Sequence, residues 1–211
     1  MATTREPLTR LRIVELALDV IDTQGLAALN MRRLAAAAGV KPMSLYHHFP
    51  NKEAILGAVA ESIAAAALGE PRTSGTWEAR TRLLFVGLHE LVQAHPRALP
   101  LITTGVLRTP SGRRWMEELM GVLLEAGFTP AAAARVYHLI GAFTLGLGYA
   151  QLLSLEVPAE TIVGELAGHW ADYPNLLRVG LQLAIWDQPD DFATGLDVLL
   201  ERCAKELEGA H

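Results

Sequence analysis

An all-α protein is what this sequence predicts, on three observations. Apolar residues recur at intervals of three and four, glycines and prolines stand at the ends of those runs, and no segment alternates apolar with polar residues as a half-buried strand would. In the first run Val14, Ala17, Leu18 and Ile21 fall at i, i+3, i+4 and i+7, and Gly25 follows as a left-handed terminator, which predicts a helix over 8–24. Asn30 can cap a second helix over 31–38, stopped by Gly39 after two turns. Pro42 sits where a helix start tolerates a missing N–H, and Pro50 with Asn51 ends that helix and opens the next, so a third helix is expected over 42–48 and a fourth over 51–68. Residues 69–76, GEPRTSGT, read as a linker. Later helices are expected over 77–94, 97–107, 111–126, 130–155, 159–170, 174–186 and 190–208, divided by Pro96, Pro110, Gly127 with Pro130, Pro158, Pro174 and Pro189.

Composition narrows the class. Of 211 residues, 51% are apolar and 19% charged, too apolar for a disordered chain. A single cysteine, Cys203, excludes an intrachain disulfide and a cysteine-built zinc site, and suits a reducing cytoplasm. Arg5, Arg10, Arg12, Glu15 and Asp19 interrupt any apolar core of signal-peptide length, so the expected location is cytoplasmic. Net charge is -5, yet residues 1–60 carry seven Lys and Arg against five Asp and Glu. That imbalance fits a head that meets a polyanion, and it fits chance variation of surface charge as well.

Chemistry concentrates in residues 30–52, NMRRLAAAAGVKPMSLYHHFPNK. Two short helices joined by a turn at Gly39 to Lys41 have helix-turn-helix form, in which the second helix enters the major groove. Ala35 and Ala38 let the helices approach, while Val40, Leu45 and Phe49 cover a core shared with Leu34. With Leu45 and Phe49 inward, Lys41, Met43, Ser44, Tyr46, His47 and His48 take outward or flanking positions. Ser44, Tyr46, His48 and Lys52 can donate to phosphate oxygens, and free amides at Pro42 to Ser44 would favour anions. Arg32 and Lys41 suit guanine acceptors; Met43 and the Pro42 ring suit thymine methyl groups. On pattern alone an ordinary surface pair of helices fits too.

Ala17 and Leu18, Gly25, Leu29 to Arg32, Leu34-Ala35, Ala38-Gly39-Val40, Ser44 to Phe49 and Asn51-Lys52-Glu53 form a specific run. Through it, Leu11 to Ile55 resembles the N-terminal DNA-binding domain of TetR-type transcriptional regulators. The resemblance implies three helices plus the start of a fourth, with recognition by Pro42 to His48. It places Tyr46, His48 and Lys52 where relatives contact the DNA backbone, and Arg32, Pro42, Met43 and His47 where they approach bases. The expected DNA-contacting set is Asn30, Arg32, Lys41, Pro42, Met43, Ser44, Tyr46, His47, His48 and Lys52. Gly127 to Tyr149, Asp191-Phe192, Gly195 to Asp197 and Leu199-Leu200 are similar to the C-terminal domain of the tetracycline-repressor branch, whose tetracycline and magnesium ligands cannot be assigned here. Expected, then, are a helix-turn-helix domain over 1–68 and a helical ligand-binding and dimerisation domain over 69–211.

Val136 to Leu155 lacks Asp, Glu, Lys and Arg over a length that would cross a bilayer, but His138, Thr144, Gln151, Ser154 and three glycines favour a buried helix. A partner chain is its expected cover. Phe192, Leu196, Leu199, Cys203 and Leu207 form a second stripe, so a two-fold four-helix seam is predicted, with Gly141 and Gly148 at the close approach. Trp115, Met120, Phe143 and Trp170 mingle with polar His138 and Tyr149 as expected lining of an effector site, with Phe85 and His89 as further walls. Each also serves as plain core packing. Glu165 and His169 stand four apart, but no metalloenzyme, hydrolase or phosphate-loop motif occurs. The reading is a non-enzymatic regulator without cofactor or membrane partner: a homodimeric repressor released from palindromic double-stranded DNA by a small hydrophobic effector. The alternative is an all-α small-molecule carrier or interaction module that does not engage DNA.

Overall fold

The computed structural model describes residues 7–69, 74–156, 161, 164, 173–176, 178–179 and 189–208. Among them there is no strand, and the fold is all-α as expected. The helices are α1 (Arg10–Gln24), α2 (Met31–Ala37), α3 (Pro42–Tyr46), α4 (Lys52–Leu68), α5 (Trp77–Ala94), α6 (Leu99–Gly105), α7 (Pro110–Glu125), α8 (Pro130–Glu156) and α9 (Pro189–Glu208). Single 3-10 turns flank α6, where the sequence predicts one helix over 97–107; the first opens at Pro96, and Pro100 sits in the first turn of α6, where its missing N–H is tolerated. α3 ends two residues early: the Leu45 carbonyl accepts the amides of both His48 and Phe49, which tightens the exit into a turn. Most of the helices expected over 159–170 and 174–186 lies outside the described residues; 161, 164, 174–176 and 178–179 are helical.

Packing divides the chain into two compact units, Met1–Ser74 with Glu90–Leu119 and Gly75–His89 with Met120–His211. Division by packing therefore differs from the expected division by role, since 90–119 packs in the first unit. In that unit α1 lies against α2 and α4, and α4 lies against α6. Ile13, Ala17, Ile21, Leu34, Leu45, Phe49, Ile55, Val59 and Ile63 are buried together with Val92, Leu99 and Ile102. The last turn of α1 is tied down by Asp22, whose carboxylate meets His95 Nδ1 at 2.8 Å and whose carbonyl accepts from Arg97 at 2.9 Å.

In the second unit α8 packs on α9. Their approach depends on Gly195: a Cβ there would lie 2.2 Å from the Phe143 ring. At Gly141, expected at a close approach, an added Cβ would meet open space. In the stripe on α9, Phe192, Leu196 and Cys203 are buried inside their own chain, while Leu199 and Leu207 are half-buried. α8 is long and apolar enough to cross a membrane, yet in the single chain it does not bury every face. Ala133, Val136, Ile140, Thr144 and Gly148 are buried, whereas Leu139 is 51%, Tyr149 57% and Leu153 49% exposed.

The start of α7 is built around a carboxylate from α4. Thr109 caps it, its hydroxyl accepting the Gly112 amide at 3.0 Å, and Pro110 occupies the first turn, where a missing N–H costs nothing. Glu61 then accepts from the Ser111 hydroxyl at 2.7 Å and from the Ser111 amide at 3.1 Å. Gly112 has no room for a side chain, because a Cβ would sit 1.9 Å from the Val106 carbonyl oxygen. Partial burial raises the Glu61 pKa, but the Ser111 and Thr109 hydrogen bonds and the Arg114 charge outweigh it, leaving the carboxyl below its usual value. Replacing Glu61 by Gln is expected to cost about 1–2 kcal/mol of stability at neutral pH. A depressed carboxyl contributes fully above its unfolded pKa and loses that contribution as pH falls through its lower folded pKa. Denaturant unfolding of parent and variant across the acid range measures this; a gap that stays constant excludes a role for the charge.

Candidate nucleic-acid interface and effector region

The helix-turn-helix assembles from local chemistry. Asn30 Oδ1 accepts the Arg33 amide at 2.9 Å and so opens α2. Gly39, at φ +64°, turns the chain, and the Val40 amide returns to the Ala35 carbonyl at 3.0 Å. Leu45 and Phe49 are fully buried, and truncating such anchors typically costs about 2–5 kcal/mol. The rest of α3 is turned to solvent: Met43 is 67% and Tyr46 46% exposed, and Lys41, Pro42 and His47 are exposed as well. Ser44, His48 and Lys52 are half-buried beside them, and Arg32 is exposed on α2. Exposed and half-buried hydroxyl, imidazole, thioether and cationic groups thus share one short surface.

Local hydrogen bonds bear on the expected set. Asn30, which is exposed, caps α2 and donates through Nδ2 to the Ala28 carbonyl at 3.3 Å. The amides expected to be free at Pro42 to Ser44 are fewer, since Pro42 has none and the Ser44 amide donates to the Lys41 carbonyl at 2.9 Å. Sequence reasoning missed Arg10. Its Nη1 donates to the His48 carbonyl, and its guanidinium lies 4.0 Å from the centre of the Phe49 ring. A signal was present: a positive charge on the first turn of α1, with no acidic residue there, opposes the helix dipole and calls for a partner elsewhere.

The expected effector residues separate into groups. His89 stacks on Phe192 with centroids 3.8 Å apart, and Phe143 stacks on the same ring at 5.9 Å, so α5, α8 and α9 meet in an aromatic layer within the second unit. Phe85 is buried on α5 and Met120 is half-buried on α7. Trp115 is buried on the part of α7 that belongs to the first unit. His138 and Tyr149, expected as interior anchors, lie on the outward face of α8, off the stripe that meets α9. Trp170, with Glu165 and His169, lies outside the described residues. Among those described, no three His, Cys, Asp or Glu side chains are grouped to hold a metal. Burial, and then Glu206, push the Cys203 thiol up against the opposing pull of Arg202, which keeps it a protonated core residue rather than a nucleophile.

Residues 13–59 match the family described as bacterial regulatory proteins, tetR family, and residues 70–205 match the tetracyclin repressor-like C-terminal domain. The HTH-type transcriptional repressor DrrR1 of Streptomyces coeruleorubidus is 28% identical over 177 residues, covering 82% of this chain; the matched region is 64% of that longer repressor. The TetR family protein ActR of Streptomyces coelicolor, solved in complex with actinorhodin, superposes with a TM-score of 0.73 at 27% identity, covering 94% of this chain and 96% of its own. BioQ, solved with its double-stranded DNA operator, gives a TM-score of 0.60 at 25% identity over 85% of this chain and 96% of its own. With one match lying on the helices that present Met43 and Tyr46 and the other spanning more than half of its length, this chain belongs to the tetR family of bacterial regulatory proteins and is a ligand-responsive, DNA-binding transcriptional regulator.

Proposed function

We propose that the protein is a cytoplasmic, non-enzymatic homodimer that represses transcription at a palindromic operator through residues 1–68 and lets go when a small hydrophobic effector occupies residues 69–211. The observation that carries this reading is the division of α3 and its exit: Leu45 and Phe49 are buried while Met43, Tyr46 and His47 face solvent. Such a helix is a rigid probe for the edges of a duplex. Lys52, Tyr46, Ser44 and His48 are the phosphate-facing groups, and Arg32, Lys41, Pro42, Met43 and His47 the base-facing ones. The operator complex of BioQ and the actinorhodin complex of ActR support operator and effector as the two partners. The aromatic layer of His89, Phe143 and Phe192, in the unit that also holds Phe85 on α5 and Met120 on α7, is where an apolar ligand finds stacking partners.

A dimer is supported by the face of α8 that α9 leaves open. Leu139, Ala142, Gly146, Tyr149 and Leu153 are all exposed and are spaced three, four, three and four apart, the register of a helix seam. Ala142 and Gly146 at its centre permit close approach of a second copy, and a stripe that meets its own image across a two-fold closes the assembly. Two α3 helices about 34–36 Å apart would then enter successive major grooves.

Selection of bound duplexes from a random library tests the reading and supplies the operator. Against the selected duplex, Tyr46→Ala and Lys52→Ala should weaken binding to every sequence alike, and Lys52→Ala should reduce the salt slope of log K by about one, the share of a single neutralised phosphate. Arg32→Ala and Met43→Ala should instead change the selected sequence; unchanged binding in all four variants removes α3 as the recognition helix. For the seam, Leu139→Asp with Leu153→Asp should convert the dimer to a folded monomer by sedimentation and lower operator affinity at least tenfold, about 1.4 kcal/mol. A dimer that survives both charges places the interface elsewhere.

A further inference from the structure

Arg10 is placed against a general electrostatic rule. It is the first residue of α1, Arg12 follows in the same turn, and no acidic residue stands there to offset them at the positive end of the helix. Arg12 is paired with Glu15 at 3.2 Å. Arg10 instead leaves its own helix: Nη1 donates to the carbonyl of His48, and the guanidinium lies over the face of Phe49 at 4.0 Å. Both partners lie on the exit of α3, where the Leu45 carbonyl already takes two amides and where a cation is favoured by the negative end of a helix. A guanidinium suits this place because it stacks on an aromatic face and donates in its own plane at once.

The exit matters because α3 has only five residues, too few to hold its own direction. Its entry is fixed by Pro42 and its middle by buried Leu45. Between its end and the Asn51 cap of α4 run four residues, His47 to Pro50, and the angle of α3 is set by how those four are held. We propose that Arg10 is a positioning residue for DNA readout: by clamping the His48 carbonyl and the Phe49 ring it fixes the aim of α3. This rests on α3 being the recognition helix. Base-edge hydrogen bonds tolerate little angular error, whereas phosphate contacts tolerate more. The clamp therefore contributes to discrimination between sequences rather than to overall attraction for DNA.

The test compares the duplex selected by the parent protein with a shuffled duplex of the same length and composition, each titrated across salt concentration. Arg10→Ala should lose about tenfold on the selected duplex and about twofold or less on the shuffled one, with the salt slope unchanged on both, because no phosphate partner is removed. Arg10→Met keeps the apolar stem over Phe49 and serves if the alanine variant melts; it should show the same loss of discrimination. Parent-like discrimination in Arg10→Met overturns the proposal. So does an equal loss on both duplexes with a slope reduced by about one, which would make Arg10 a phosphate contact. Tyr46→Ala separates the layers: if it weakens binding to both duplexes while Arg10→Met behaves as the parent, only the clamp fails, and if it too is parent-like, the recognition-helix reading fails with it.

Discussion

The constraint on which the site depends is that α3 is too short to exist alone. A helix of five residues closes barely one turn of hydrogen bonds, and nucleation of that kind is unfavourable in water. Its geometry is therefore lent by tertiary contacts: Leu45 and Phe49 locked in the core below, Gly39 at φ +64° on one side and Arg10 on the other. Because both large apolar side chains point inward, the remaining residues have only the outward and flanking directions left. The polar, aromatic and cationic character of the surface follows from that exclusion, and the α3 backbone stays rigid while its polar side chains remain available.

α4 is the element that joins this surface to the rest of the first unit. It packs on α1 at one side and on α6 at the other, where Gly105 allows the helices to close to a distance at which an added Cβ would lie 3.4 Å from that of Ala60. Glu61 adds a directional bond to the start of α7. Close packing transmits displacement because it has no slack, and a charged hydrogen bond adds a preferred length. The start of α7, α4 and the exit of α3 at Asn51 are thereby joined by direct contacts. Effector and operator need a coupling of only about 1–3 kcal/mol to switch occupancy usefully, an amount comparable with one such bond.

Helix order and type are legible in the sequence wherever capping residues and apolar period agree. Asn30 and Asn51 each accept an amide at the start of a helix, and Gly25 and Gly39 turn the chain with positive φ, whereas the expected start at residue 8 misses the Thr9 cap that opens α1 at Arg10. The inward pair Leu45 and Phe49 is legible for the same reason, since period alone separates them from their neighbours. What escapes is set by partners distant in the chain. Ser111 lies fifty residues from Glu61, and His48 thirty-eight from Arg10. Apolar composition marks α8 as buried without telling which neighbour takes which face, so His138 and Tyr149 are expected inside and stand outside. Gly195 is similar to a family position in the sequence; its steric reason, the ring of Phe143 against its backbone, emerges only once α8 and α9 are side by side.

α8 carries two apolar stripes that differ in composition. The inner one, Ala133, Val136, Ile140 and Thr144, is buried and contains a hydroxyl whose hydrogen bond to the Ile140 carbonyl at 2.8 Å satisfies it without help from another helix. The outer one is bulky at its ends, with Leu139 and Leu153, and small at its centre, with Ala142 and Gly146. A lipid-facing stripe has no need of that central hollow, because acyl chains fill any contour. The second copy proposed above, crossing near Ala142 and Gly146, would need it, since two backbones approach closely only where side chains are small. Tyr149 supports the same proposal: its ring adds apolar area while its hydroxyl needs water or a polar partner, a combination typical of a protein interface.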